Sequence, residues 1–82
     1  MSQEKLSLKG LNFQATKIEE NKNILTITLN RPEKKNALNN VMVNEICYAL
    51  AYAKQERSVR VIIIAAEGDI FCAGADLRRE ES

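Results

Sequence analysis

The segment 70–77 reads Ile-Phe-Cys-Ala-Gly-Ala-Asp-Leu and has the spacing of a site that binds negative charge on oxygen. Gly74 lies between two alanines, so the main chain there can take a positive φ and approach a bound molecule closely. Asp76 is a good N-cap for a helix that begins at Leu77, and a helix N-terminus presents N–H groups that have no intrahelical partner. We therefore expect a strand, a tight turn and a helix start that direct main-chain N–H groups at an oxyanion. The same pattern also suits a turn that only reverses the chain.

Side chains that act as nucleophiles or metal ligands are scarce. The sequence contains no histidine, which removes Ser-His and Cys-His activation and most zinc sites. Cys47 and Cys72 are isolated, so we expect reduced thiols, no disulfide and no metal site. Cys72 has no evident activator and is interpreted as a packing residue of the turn. Neither G-x-G-x-x-G nor a Gly-Lys-Ser/Thr motif occurs, which argues against dinucleotide and P-loop sites.

Composition narrows the class of partner. The 82 residues suffice for one small domain, and 12 basic against 11 acidic residues give a net charge of +1. No block of one sign appears, so we expect no nucleic-acid partner. The longest apolar run, Val61–Ala66, is far too short for a membrane span, and the first ten residues lack a signal-peptide core. We expect no membrane partner and a location in the cytoplasm, or in an organelle matrix after import.

The first half of the chain predicts a β-hairpin. A weak alternation of apolar residues predicts a strand over residues 13–18, and the polar residues 19–23 predict a turn. Ile24–Leu29 alternates clearly, with Leu25, Ile27 and Leu29 on one face, so we expect a strand with one drier side. Residues 30–36 then predict a basic exposed loop, because the proline at its centre cannot continue a strand ladder.

A helix and a buried strand follow. Residues 37–57 have helical periodicity, and Asn39 or Asn40 is the expected N-cap. The predicted apolar stripe consists of Leu38, Met42, Ile46, Ala49 and Ala53, widened by Val43, Cys47 and Leu50. Tyr48 and Tyr52 also have helical spacing and are interpreted as a packed or half-exposed pair without chemistry.

Residues 59–66 predict a parallel strand that other layers cover on both faces. The last predicted helix, from residue 77, has barely begun at Ser82 and is too short to be stable alone. We therefore expect the front portion of a larger α/β fold: a fragment, a truncated reading frame or the ordered part of a longer polypeptide.

Three segments, residues 29–39, 60–66 and 68–77, resemble in order and spacing the N-terminal part of the crotonase superfamily, the enoyl-CoA hydratase/isomerase proteins. The resemblance covers residues 13–82 and leaves residues 1–12 as an N-terminal extension. It implies an α/β fold, a partial crotonase-like ββα spiral that is truncated after the first oxyanion-hole turn.

The resemblance also implies the ligand and the site. Family members bind acyl-CoA thioesters and stabilise an enolate oxyanion with two backbone N–H groups, and Ala75 matches the first donor. By the same matching, the CoA-facing loop includes Lys35, Ala37 and Leu38, and the segment toward the adenine and pantetheine end includes Ala73, Asp76 and Leu77. For Lys35 a solvated loop position stays open, and for Asp76 a plain helix cap. No metal is implied, and no cofactor beyond the coenzyme A of the substrate.

An enoyl-CoA hydratase that adds water across a 2,3 double bond is the first expectation for the intact protein, and an isomerase is the second. The second oxyanion donor and the acidic residues that move protons have no counterpart up to Ser82, so we expect the 82 residues to be inactive alone. A trimer or a pair of trimers is implied for the intact protein. A non-catalytic module that binds CoA or docks on full-length subunits is the alternative.

Overall fold

The structure, a computed structural model, describes residues 6–75. These contain three strands, one 3-10 helix and one α-helix, namely β1 (Thr16–Asn21), β2 (Ile24–Leu29), the 3-10 helix Pro32–Lys34, α1 (Asn40–Gln55) and β3 (Val61–Ala66). The strands form one sheet in the order β1-β2-β3, in which β1 is antiparallel and β3 is parallel to β2. The described part of the chain is therefore the small mixed α/β unit that the sequence predicts.

The hairpin between β1 and β2 turns through only two residues. Lys22 and Asn23 have φ values of 51° and 72°, the pair of positive angles of a type I′ turn. This tight turn extends the ladder from the Asn21–Ile24 pair to the Thr16–Leu29 pair. The predicted strand over residues 13–18 was therefore placed too early, and the predicted turn over 19–23 was too long. Charged residues at 19 and 20 lie within the strand because the side chains of an edge strand can face water.

The core lies between α1 and one face of β2. Leu25, Ile27 and Leu29 are buried, which confirms the predicted dry side of this strand. Met42 and Ala49 of α1 are completely buried against that face. One buried cluster joins Met42 to Leu29, and a second joins Ala49 to Leu25 and Ile27. The helix therefore packs against both the middle and the carboxyl end of β2.

The N-cap of α1 is Asn39, one of the two predicted positions. Its side-chain oxygen accepts a hydrogen bond from the N–H of Met42 at 2.9 Å. The helix is shorter than the predicted 37–57 because residues 37 and 38 use their backbone groups outside it, as described below. Its outward side chains were predicted wrongly: among the described residues nothing covers Val43, Cys47 and Leu50, and all three are exposed.

Strand β3 is parallel to β2, as predicted, but it is not covered on both faces. Within residues 6–75 the side chains from Val61 to Ile64 are 41–49% exposed. The reason is that α1 packs on β1 and β2, and no other described element lies over β3. None of the helices in this part of the chain is both long and apolar enough to cross a membrane.

Candidate functional site

Two segments meet at the edge of the sheet where parallel strands β2 and β3 end. One is the basic loop, residues 30–39, and the other is the glycine turn, residues 67–75. Two backbone hydrogen bonds join them: the N–H of Ala73 donates to the C=O of Lys35 at 3.0 Å, and the N–H of Leu38 donates to the C=O of Gly74 at 2.8 Å. Ligands of open α/β sheets commonly bind at this edge.

The hydrogen bond between Leu38 and Gly74 fixes the direction of the next amide. The peptide bond between Gly74 and Ala75 is trans, so the C=O of Gly74 and the N–H of Ala75 point in opposite directions. Because that C=O points at the N–H of Leu38, the N–H of Ala75 points away from Leu38. Ala75 is exposed, and no atom of residues 6–75 accepts a hydrogen bond from its N–H. The arrangement leaves a fixed main-chain donor that can meet an oxygen.

Glycine at position 74 makes this geometry accessible. Its φ is +101°, a value that residues with a side chain rarely adopt. The thiol of Cys72 lies beneath it and accepts the N–H of Gly74 at 3.4 Å. Cys72 is half-buried and packs against the core cluster of Leu29 and Met42, which confirms its predicted packing role.

The basic loop is shaped by two consecutive left-handed residues. Lys35 and Asn36 have φ values of 54° and 55°. The loop is closed by backbone bonds from Lys35 to Pro32 at 3.0 Å and from Asn36 to Arg31 at 2.8 Å. The Arg31 guanidinium donates to the C=O of Ala37 at 2.6 Å, so this side chain also stabilises the conformation of the loop.

Asn36 is the residue of this site that sequence reasoning missed. Its side chain is completely buried, and its Nδ2 donates to the C=O of Glu67 at 2.7 Å and of Ile70 at 2.8 Å. Its Oδ1 accepts the N–H of Arg31 at 2.7 Å. The signal that could have identified it is the asparagine itself, because asparagine tolerates left-handed backbone and carries both donors and an acceptor.

A cavity of about 310 Å³ lies where the two segments face each other. Its lining consists of Pro32, Lys35, Glu67, Asp69 and Ile70. The volume is at the lower end of the range for small-molecule sites, so it could hold only part of an extended ligand.

The structure brings together five of the seven residues predicted for the site. The five are Lys35, Ala37, Leu38, Ala73 and Ala75, and all lie on the basic loop or the glycine turn. Lys35 is exposed at the cavity and Ala37 is half-buried, while Ala73 and Leu38 supply the backbone bonds between the segments. Asp76 and Leu77, with the predicted helix start, lie outside the described residues.

Comparison with known proteins shows which family the chain resembles. A family model described as enoyl-CoA hydratase/isomerase matches residues 19–81. The mouse mitochondrial enoyl-CoA hydratase domain-containing protein 2 is 45% identical over 62 residues, which cover 74% of this chain and 21% of that protein. A trans-2-decenoyl-(acyl-carrier-protein) isomerase of Streptococcus mutans is 41% identical over 54 residues, covering 66% of this chain and 20% of that protein.

Solved structures give the same result for the fold. An enoyl-CoA hydratase/isomerase from Mycobacterium paratuberculosis superimposes with a TM-score of 0.78 at 37% identity, covering 82% of this chain and 26% of that one. The chain thus spans about a fifth of the length of the curated relatives that it matches. The family match over most of the chain, the shared fold and the order of its loops together show that this chain belongs to the enoyl-CoA hydratase/isomerase family, in the crotonase superfamily.

Proposed function

We propose that this chain contributes the first oxyanion donor and part of the CoA-binding loop to an enzyme that acts on acyl-CoA thioesters. In this proposal the N–H of Ala75 binds the thioester oxygen as it gains charge on the way to the enolate. The observation that carries the proposal is the direction of that amide, which points away from Leu38 and has no acceptor among residues 6–75. A donor of this kind contributes a hundred- to a thousandfold in rate in comparable sites.

The ligand is proposed to lie along the basic loop. Lys35 is exposed at the 310 Å³ cavity, where its ammonium group would meet a phosphate of coenzyme A. Ala37 and Leu38 would contact the ligand on the same loop, and Ala73, Asp76 and Leu77 would contact its adenine and pantetheine portions. We propose that the reaction needs no metal ion and no separate cofactor. Coenzyme A takes part only as a portion of the substrate.

Hydration of a 2,3-enoyl-CoA is the reaction we propose first. The mouse relative is named for an enoyl-CoA hydratase domain. An isomerase is the second candidate, since the Streptococcus relative is named as one. Both reactions pass charge onto the thioester oxygen, so the same amide serves either. The two reactions differ in the carboxylates that transfer protons to and from the substrate. We assign no residue of this chain to that role.

Replacing the amide by an ester tests the proposal directly. Lactic acid in place of Ala75 removes the N–H and keeps the methyl group. In the complete polypeptide encoded by the gene, we expect hydration of crotonyl-CoA to lose about a hundredfold or more in kcat with little loss of stability.

The matched control is the same replacement at Ala51, an exposed alanine within α1 that lies in neither segment of the site, and it should leave kcat unchanged. That ester should lower the free energy of unfolding by about 1 kcal/mol. An Ala75 ester with the kcat of the parent would refute the oxyanion role. A complete polypeptide that neither binds nor converts crotonyl-CoA or related thioesters would refute the function.

The alternative is a non-catalytic module that binds CoA or docks on full-length subunits. Calorimetric titration of the purified 82-residue chain with CoA, together with its mass by light scattering, distinguishes the two. A monodisperse chain that binds CoA without turnover supports the module, whereas an aggregated chain without affinity rejects it. From the family resemblance we also propose that the intact enzyme is a homotrimer or hexamer. Its proposed location, the cytoplasm, comes from the sequence and not from the resemblance.

A further inference from the structure

Asn36 is a buried polar side chain with no part in binding the ligand proposed above. Its amide group reaches from the basic loop into the glycine turn, where it holds the carbonyl oxygens of Glu67 and Ile70 at 2.7 and 2.8 Å. Its Oδ1 holds the N–H of Arg31 at 2.7 Å. All three partners are main-chain groups, so the side chain ties together two backbone segments that are more than thirty residues apart.

The position of Asn36 in the loop matters as much as its partners. It lies between Lys35 and Leu38, the two residues that make the backbone hydrogen bonds to the glycine turn. Its left-handed conformation, together with that of Lys35, sets the directions of the groups that bond to Ala73 and Gly74. The Asn36 side chain holds the first part of the turn, and these backbone bonds hold the last part.

We infer that Asn36 is a positioning residue that sets the direction and place of the Ala75 N–H through the bond between Leu38 and Gly74. The inference rests on the proposed function for its catalytic consequence. An oxyanion donor works only when it is held close to the productive geometry, and a misplacement of about 1 Å can cost about a hundredfold in rate. None of the side chains proposed to contact the ligand needs to change for this loss to occur.

The sharpest variant is Asn36→Asp, which is nearly isosteric. The aspartate keeps an acceptor for the N–H of Arg31 but presents a second oxygen to two carbonyl oxygens, in place of two donors. In the complete polypeptide we expect kcat with crotonyl-CoA to fall about a hundredfold and KM to change less than about threefold. Asn36→Gly, which retains the left-handed backbone, is the second variant if the aspartate protein fails to fold.

Two controls separate positioning from loss of stability. Asn21→Asp adds the same charge at the hairpin end of the sheet, opposite the site, and should leave kcat unchanged. Ile27→Val removes one methylene from the buried core and lowers stability without touching either segment. If Ile27→Val lowers kcat as much as the Asn36 variants do, the effect is one of stability and the inference is overturned.

A structural readout keeps the inference independent of turnover. By NMR, the Asn36 variants should shift the amide resonance of Ala75 and speed amide hydrogen exchange at Leu38 and Ala73 by about tenfold or more, while Ile27→Val should not. Folded Asn36 variants with the Ala75 resonance and kcat of the parent would overturn the inference and leave the proposed function standing. A parent without thioester turnover would refute the proposed function, and the resonances would still decide whether Asn36 positions the amide.

Discussion

The C=O of Gly74 accepts the N–H of Leu38 at 2.8 Å, and this contact orients the peptide plane that carries the N–H of Ala75. The donor proposed to bind the oxyanion is therefore held by a backbone hydrogen bond from another segment and not by its own side chain. Both partners are fixed elsewhere: Leu38 packs against the core, and Gly74 is held by the N–H of its neighbour Ala73 bonded to Lys35.

Gly74→Ala should strain this plane. The new Cβ would meet no atom within 4 Å, so the cost comes from the φ of +101° alone, about 1–3 kcal/mol in unfolding free energy. Gly10→Ala is the matched control, because its φ is +76° and its Cβ would also meet open space. Urea denaturation and kcat measure both effects. We expect kcat to fall only for Gly74→Ala, and equal activity in the two variants would contradict the role given to this peptide.

Gly68→Ala should destabilise the protein for two reasons. Its φ is +86°, and a Cβ would lie 3.0 Å from the Cβ of Pro32 across the junction of the two segments. Strain and overpacking together predict a loss of about 2–4 kcal/mol. Pro32→Gly removes the opposing Cβ, so the double variant should recover part of the loss. The two single variants and the double variant form a double-mutant cycle. Strictly additive changes in unfolding free energy would show that there is no steric conflict between the two residues.

Stability should depend on pH through Tyr52. A hydrogen bond from its hydroxyl to Glu20, then burial and then the charges of Glu20 and Glu56, raise the pKa of Tyr52 from 10.0 to about 12. The unfolded chain therefore releases this proton at lower pH than the folded one. The interactions of the protonated Tyr52 therefore contribute fully to the free energy of unfolding below pH 10. This contribution should be lost, and stability should fall, as the pH rises from about 10 to about 12.

The titration of Tyr52 can be measured by the absorbance of tyrosinate as the pH is raised. Subtracting the curve of Tyr52→Phe from that of the parent isolates the signal of Tyr52. Glu20→Gln should move the pKa of Tyr52 back toward 10.0, whereas Glu19→Gln, on the neighbouring residue of β1, should not. An unchanged pKa in Glu20→Gln would exclude the hydrogen bond as the main cause.

Lys35→Gln should weaken binding of CoA by the complete polypeptide about twofold to fivefold, since the contact is exposed and screened by salt. Lys34→Gln removes the same charge from the end of the 3-10 helix and is the control, because Lys34 does not line the cavity. Calorimetry at two salt concentrations measures both. Equal losses in the two variants would indicate a diffuse charge effect and not a contact of Lys35.

The sequence predicted the elements whose pattern is local. The alternation in Ile24–Leu29 predicted β2 with its bounds, and asparagine before an apolar helical stripe predicted the cap of α1. The small residues around Gly74 predicted the turn, but not that the N–H groups of Ala73 and Gly74 are bonded within the chain. Each of these features depends on the chain within a few residues, where steric limits and hydrogen-bonding capacity leave few choices.

Features that depend on distant segments were harder to predict. The three partners of the Asn36 side chain include two that lie 31 and 34 residues away, which no local pattern indicates. One local feature was also predicted wrongly: the polar residues 19–23 predict a five-residue turn, whereas the hairpin turns through two residues, which shifts the bounds of β1. The covering of β3 was inferred from its apolar composition, but no element among residues 6–75 supplies it.

The backbone N–H of Ala75 carries the proposed chemistry, and that of Ala73 holds the turn, which determines how a map of mutational tolerance should look. Small substituents at those two alanines should be accepted, since their side chains are exposed. Asn36, Gly68 and Gly74, none of which has a reactive group, should instead be the intolerant positions. Mutagenesis restricted to reactive side chains would therefore not detect this site. Substitutions at the residues that determine the backbone conformation would detect it.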